Sequence, residues 1–392
     1  MSLPSTPSRW LLLALLLPAL GGCAASRRSS GGDPSPPFVF RALDLRQQDA
    51  RGNRLWDVTS PEARYDLRRR LAQASDLRGT IYRDGQPRYR VMASSGIVVN
   101  DGEVIQLEGR IRLEQIGDPP AMITASRIRW LPSRKVMELD RHPRAYDNQS
   151  RLIARTARFH FDSERLELQG QPLLQRWPQP FNPLQALPVG APDLQASVRA
   201  IVWYPRTGQL QAQGPLRALR QAPAQGSAAV AASSRPGPLP PGGGQQLLTA
   251  NGLRGDTVSQ RFELLAPVTL VDAGLGATLK APGLQIDLRR QDALTADRPG
   301  GCRIDRPGES LQARRCLWNW GTQTVQAQGE VLLRRQANDQ ITRAELLQAR
   351  LGQPGFVVLQ SPGARVVSRF RVPAGAAKPA PVQRSGPEPI RL

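Results

Sequence analysis

Histidine, lysine and cysteine are nearly missing from this chain of 392 residues. Two histidines, His142 and His160, and no C-x-x-C spacing leave no zinc site of the usual ligand pattern. There is no G-x-S-x-G elbow and no P-loop, so neither an acyl-transfer nucleophile nor a phosphate cradle is encoded. Carboxylates such as Asp66, Asp76, Glu103 and Glu108 fall at turn or outward positions rather than in facing pairs. The chain therefore reads as a non-enzyme with no metal and no cofactor. Amphipathic helices are lacking as well. The best helical candidate, Ala63 to Leu77, also fits strand alternation, which is the preferred reading. The apolar run from Trp10 to Leu20 is too short to cross a bilayer as a helix.

What the chain has is alternation, repeated. From Leu152 to Leu174 every second residue is apolar on either side of the turn-like Asp162-Ser163-Glu164-Arg165, the pattern of a half-buried hairpin. With Ala154 as origin, apolar residues stand at −2 (Leu152), +3 (Ala157), +5 (Phe159), +12 (Leu166) and +14 (Leu168), with Gly170 at +16. The same template fits at Ala93, Ala125 and Ala313. It fits more loosely at Ala63, Ala250, Ala281 and Ala344, and at Ala196 with its glycine late, at Gly214. Most origins are about 29 to 32 residues apart, a solenoid-like period. The change of parity between 0 and +3 predicts a bulge or corner in each copy. About nine bent hairpins then stack around a long apolar trough.

The remaining segments organise around that block. Residues 1–22 read as a signal peptide, and Leu20-Gly21-Gly22-Cys23 resembles the bacterial lipobox, with Cys23 the lipid-attachment residue. An ordinary cleaved signal with an incidental cysteine is the alternative. Residues 23–37 form a small-residue tether, 38–220 the first repeat block, 221–246 a low-complexity linker or long loop, 247–372 the second block and 373–392 a disordered tail. A Pro-rich insert, Gln171 to Pro192, interrupts the first block. The net charge of +21 is almost all arginine. A secretory signal removes nucleic acid as a partner and leaves anionic glycolipid or a membrane surface. In an oxidising envelope compartment Cys302 and Cys316 are expected to form a disulfide. Its loop closure contributes about 3 kcal/mol in the chain-entropy model. Cys316 also holds an apolar template position, so a buried free thiol is the alternative.

Two stretches carry a family resemblance: LWDVTSPEARYD from Leu55, and GTIYRDGQPRYRVMASSGIVVNDGEVIQLEGRIRLE from Gly79. With their early Trp, the Tyr-Asp that follows, A-x-x-G-x-x-x-N-D-G and L-x-G-x-I, they resemble LptC, and the later repeats resemble the related OstA/LptA module. The resemblance implies an all-β, elongated, twisted open β-jelly-roll (a "β-taco") that shelters lipopolysaccharide or a related glycolipid. It implies receipt of lipid from inner-membrane Lpt ABC transporter subunits. It also implies transfer to an LptA-like bridge or outer-membrane translocon by edge-strand pairing. Two features depart from the family: the lipobox-like Cys23 replaces an uncleaved helix, and the chain is about twice as long. A periplasmic protein held by Cys23, at the inner membrane, is expected. Groove-lining candidates are Val98, Ile128, Trp130, Phe159 and Phe161 in the earlier repeats. Leu166, Leu168, Ile201 and Trp203 continue the set. A structural envelope lipoprotein with a closed β core would carry the same residues, so the two readings part on whether the trough opens.

Overall fold

The computed structural model describes residues 38–221, 244–351 and 355–371. Cys23, the signal segment, the tether and the tail lie outside them. Among the described residues thirty strands form one antiparallel ladder in which each strand pairs with strands no more than three places away in sequence. The architecture is all-β, as the alternation predicts, and jelly-roll-like, as the family resemblance implies.

Each pass of the chain crosses two walls. The strand Gln86–Val99 pairs as far as Met92 in one wall and from Ser95 in the other, with a register break between. Its neighbour Val104–Gln115 breaks between Glu108 and Ile111. Elsewhere the corner separates two strands, as between Ser150–Ile153 and Thr156–His160 or between Glu309–Ala313 and Arg315–Asn319. In these copies the corner follows directly on the template alanine (Ala93, Ala154, Ala313), which is the parity change read from the sequence.

The +16 glycine has a steric reason. Gly109, Gly170 and Gly329 have φ of +90°, +81° and +73°, and a Cβ on Gly170 would stand 2.6 Å from Arg155 Cβ. Each lies against the residue just past a template alanine, at Ser94, Arg155 or Arg314. The corner is a close backbone crossing that admits no side chain. At Gly214 the corner is held instead by Arg199, whose Nε and NH2 donate to the Gly214 carbonyl at 3.1 and 2.9 Å.

The copy centred on Ala63 is corrected by three residues. Its corner falls at Pro61, between Arg54–Ser60 and Glu62–Asp66, so Ser60 takes the alanine place. Asp76, with φ +47°, takes the glycine place. The Ser60 hydroxyl donates to the Ser75 carbonyl at 2.6 Å, which satisfies a polar group in an apolar position.

The ladder does not stop at the low-complexity stretch. Gln209–Gln221 and Gln245–Asp256 pair along their length, from Gln209↔Asp256 to Gln221↔Gln245, so the second block continues both walls of the first. Residues 222–243 themselves lie outside the described residues. The Pro-rich insert is anchored beside the neighbouring hairpin, with Phe181 N donating to Asn148 O at 2.7 Å and Trp177 Nε1 to Gly190 O at 3.1 Å. Cys302 and Cys316 form the expected disulfide, with Cα atoms 5.9 Å apart. It ties two successive passes just past their corners, where residues 296–301 lengthen one bend.

Gly170→Ala should destabilise the protein by about 2 kcal/mol or more, from left-handed strain and overlap together. Gly190→Ala, with φ +88° but open space around its Cβ, should cost about half as much. Urea-unfolding midpoints of the two variants check this ordering, and equal costs would refute the close-crossing account.

Candidate functional site

The space between the walls is one continuous apolar core. The sequence-derived candidates lie in it, and all of them come from one wall. Backbone register carries Ile105 to Trp130, Met137, Phe159, Leu166 and Trp203 as a single row across neighbouring strands. A second row joins Leu107, Ile128, Leu139, Ala157, Leu168 and Ile201. Val98 pairs with Ile105 and opens the first row. Eight of the nine candidates are 2% exposed or less, while Phe161 is half-buried at the hairpin end. His160, between the two phenylalanines, points the other way, with Nε2 3.5 Å from Glu167.

The opposite wall is missing from the sequence-derived set. Its inward row includes Val58, Val91, Leu113, Ile123, Leu152 and Leu174. These are the −2 and +20 places of the same template, so the signal was present. The walls meet through ring contacts: Trp56 on Trp130 at 5.5 Å, and Tyr89 on Phe159 at 5.3 Å, both edge-on. In the last repeats the interior is mostly aliphatic, with Leu279, Ile304, Val325 and Ala349 buried alongside Trp318. There an apolar gap of about 40 Å³ remains between the walls, lined by Leu311 and Leu333 on one side and Val325, Leu347 and Ala349 on the other. Such an interior offers no acid, base or nucleophile. It can keep alkyl chains from water, at about 0.8 kcal/mol per CH₂.

Opposite the corners the two walls end in hairpins, and the line between these ends is a seam. Among the described residues no backbone ladder crosses the seam; side chains close it. Arg83 NH1 reaches Glu164 Oε2 at 3.2 Å, and the Tyr89 hydroxyl donates to Glu164 Oε1 at 3.2 Å. Farther along, Arg176 NH2 donates to Gln260 Oε1 at 2.9 Å, and Gln260 Nε2 donates to Gln149. The Arg220 guanidinium lies 5.5 Å from the Trp320 ring centroid. Burial pushes the Tyr89 hydroxyl up and the Arg220 guanidinium down, each away from its charged form.

The lip of one wall is a polar row in register: Ser150, Arg176, Leu194, Arg220, Gln246 and Asp272 stand side by side, facing inward. Sequence reading missed this row because all its members but Leu194 are polar or charged residues that pass for surface. The only available signal was their phase, two residues beyond the last apolar position of each strand. Beside it, Asp147 is buried and accepts the Gln149 and Ser150 N–H groups at 2.8 and 2.6 Å. Burial is the largest influence and pushes its carboxyl above the ordinary range, against the pull of those hydrogen bonds and of Thr257 from the other wall. With the pKa raised on folding, the stability it contributes is present below the unfolded value of about 3.9 and is lost as pH rises through the folded value. Asp147→Asn should therefore gain on the wild type as pH rises from about 4 to 7. Urea midpoints at each pH check this, and a difference that stays flat or moves the other way refutes it.

Comparison with known proteins places this geometry. No curated protein sequence matches the chain at a significant level. Among solved structures, one similar chain is the crystal structure of LptH from Pseudomonas aeruginosa, described as the LptA homologous periplasmic component of the conserved lipopolysaccharide transport device. It aligns with 27% of this chain and 76% of its own at 13% identity and a TM-score of 0.23, too slight a likeness to carry an argument. The sequence match is more direct. Residues 11–171, which include the first corners and the aromatic part of the interior, match the family model described as lipopolysaccharide-assembly, LptC-related.

Proposed function

We propose that this protein is a periplasmic lipopolysaccharide-transport component that shelters lipid acyl chains between its two walls and passes them along the ladder. The observation that carries the reading is the seam. A continuous apolar interior is closed along one side by side chains alone, so the walls can part there without breaking a backbone ladder. The LptC-related match over residues 11–171 supports the same reading.

Both ends of the ladder suit hand-over to like-folded modules. At one end the strands Phe38–Phe40 and Leu43–Gln48 have a free edge, and Phe38 and Val39 are exposed. At the other, Phe356–Gln360 and Val367–Arg369 are the last strands, with Phe356, Val358 and Val367 exposed. A free edge beside exposed apolar side chains is a template for β-augmentation. In this reading one end meets the inner-membrane ABC transporter subunits and the other an LptA-like bridge or the outer-membrane translocon, and Cys23 holds the chain at the inner membrane. A second reading, an envelope scaffold lipoprotein with a permanently closed core, draws on the tight filling around Trp130, Phe159 and Trp203.

Photocrosslinking in cells separates them. A photoreactive residue at Phe159 or Trp203 should capture lipopolysaccharide, whereas Arg158 and Val202, one residue out of phase on the outer face, should not. A folded, anchored protein with no lipid adduct at either inward position would favour the scaffold.

A further inference from the structure

The last repeats carry a feature that filling and closure leave unexplained. On one lip Arg306, Glu309 and Arg335 stand in register on three adjacent strands. Like the other lip residues they follow the inward positions of their strands, Ile304, Leu311 and Leu333. One carboxylate serves two guanidiniums. Arg335 Nε lies 2.9 Å from Glu309 Oε1, and Arg306 NH1 lies 3.8 Å from Glu309 Oε2. Neither interaction satisfies the arginine. The Arg306 Nε–H is buried and has no hydrogen-bond partner among the described residues, and the Arg335 Nε–H is not directed at the carboxylate beside it. From the other wall Arg350 borders the same gap and forms no ion pair among the described residues. Two guanidiniums thus share a single carboxylate, with the exposed Arg350 across the gap, an excess of positive charge at the edge of a low-dielectric space.

Directly beneath lies the gap of about 40 Å³ between Leu311, Leu333, Leu347 and Ala349. Its volume would admit a water, and Glu309 and Ser310 border it together with the arginines. The rest of its lining, Leu311, Val325, Leu333, Leu347 and Ala349 among it, is alkyl, so it suits an alkyl group better than solvent. Unpartnered buried N–H groups above an apolar gap are the complement of one kind of molecule. Its head must be an acceptor-rich anion that takes several N–H bonds at once, and its tail must be apolar.

We propose that Arg306 and Arg335, with Arg350 opposite, form a site for the phosphate head group of an amphiphile whose acyl chain enters the gap beneath them. This rests on the carrier reading and adds to it a place and a head-group chemistry. The glycolipid would be held at this end by its charge while its chain lies between the walls.

The test uses the full chain in amphipol and a diazirine-tailed dodecyl phosphate, with the same tail on maltoside as the neutral-head comparison and inorganic phosphate as competitor. Dodecyl phosphate should label the strands Thr324–Arg335 and Gln340–Arg350. The double variant R306Q/R335Q should lower that labelling about tenfold or more, as expected for the loss of charged hydrogen bonds. It should leave maltoside labelling unchanged. Ala349→Trp, which fills the gap, should abolish labelling by both tails. R78Q/R90Q, the same charge change at two exposed arginines away from the seam, should leave labelling at this site intact and serves as the folding control. Competition by inorganic phosphate at low concentration would mean a free-anion site without a lipid role and would overturn the proposal. So would undiminished labelling in R306Q/R335Q. If lipopolysaccharide adducts persist at Phe159 and Trp203 while this site fails, the carrier reading stands without it. If neither appears, both fall.

Discussion

The structure depends on the corner. Each strand serves two walls, and a strand can turn from one to the other only where its backbone passes very close to the next. The close crossings at Gly109, Gly170 and Gly329 meet that requirement by omitting a side chain and taking positive φ. The extra residue at each corner changes the alternation, so that both arms present their apolar residues to the same interior. Where a corner departs from the rule, another device holds it: Ser60 and Asp76 at the first crossing, Arg199 at Gly214, and the Cys302–Cys316 bridge beside the lengthened bend at 296–301.

From the corners the rest follows in layers. Next to them lie small residues, farther out the large apolar ones, and at the hairpin ends the polar lip. The interior is graded along the ladder as well as across it. Trp56, Tyr89, Trp130 and Phe159 fill the early repeats with edge-on ring contacts, whereas in the late ones Trp318 is buried in an otherwise mostly aliphatic interior. A core made of rings is hard to part without losing their contacts. In the late repeats the gap lies among aliphatic side chains, Leu311, Leu333 and Leu347 with Ala349.

Much of this could be read from the residues. The alternation around Phe159 and Leu166 gave the hairpins, and the parity change after Ala93, Ala154 and Ala313 gave the corners. The periodic glycine marked the crossings. Ala63 misled because it is itself a buried inward residue, three places past a corner whose alanine and glycine positions hold Ser60 and Asp76. The opposite wall went unassigned although Val91 and Ile123 belong to the same template. The lip could not be read at all. Arg176, Arg220, Arg306 and Arg335 look like any of the other arginines until strand register sets them side by side. The low-complexity stretch suggested a break between blocks, because composition says nothing about whether the strands on either side of it pair.

The meander has a consequence for how such a chain is made. Because strands pair with their near neighbours in sequence, each new hairpin finds its template already formed in the hairpin before it. A chain emerging amino end first could add one hairpin at a time to a growing edge without waiting for distant partners. The same locality lets the walls lengthen by duplication of a single unit, since an added hairpin needs only the edge beneath it. Longer and shorter versions of such a protein would differ in the length of the ladder rather than in plan.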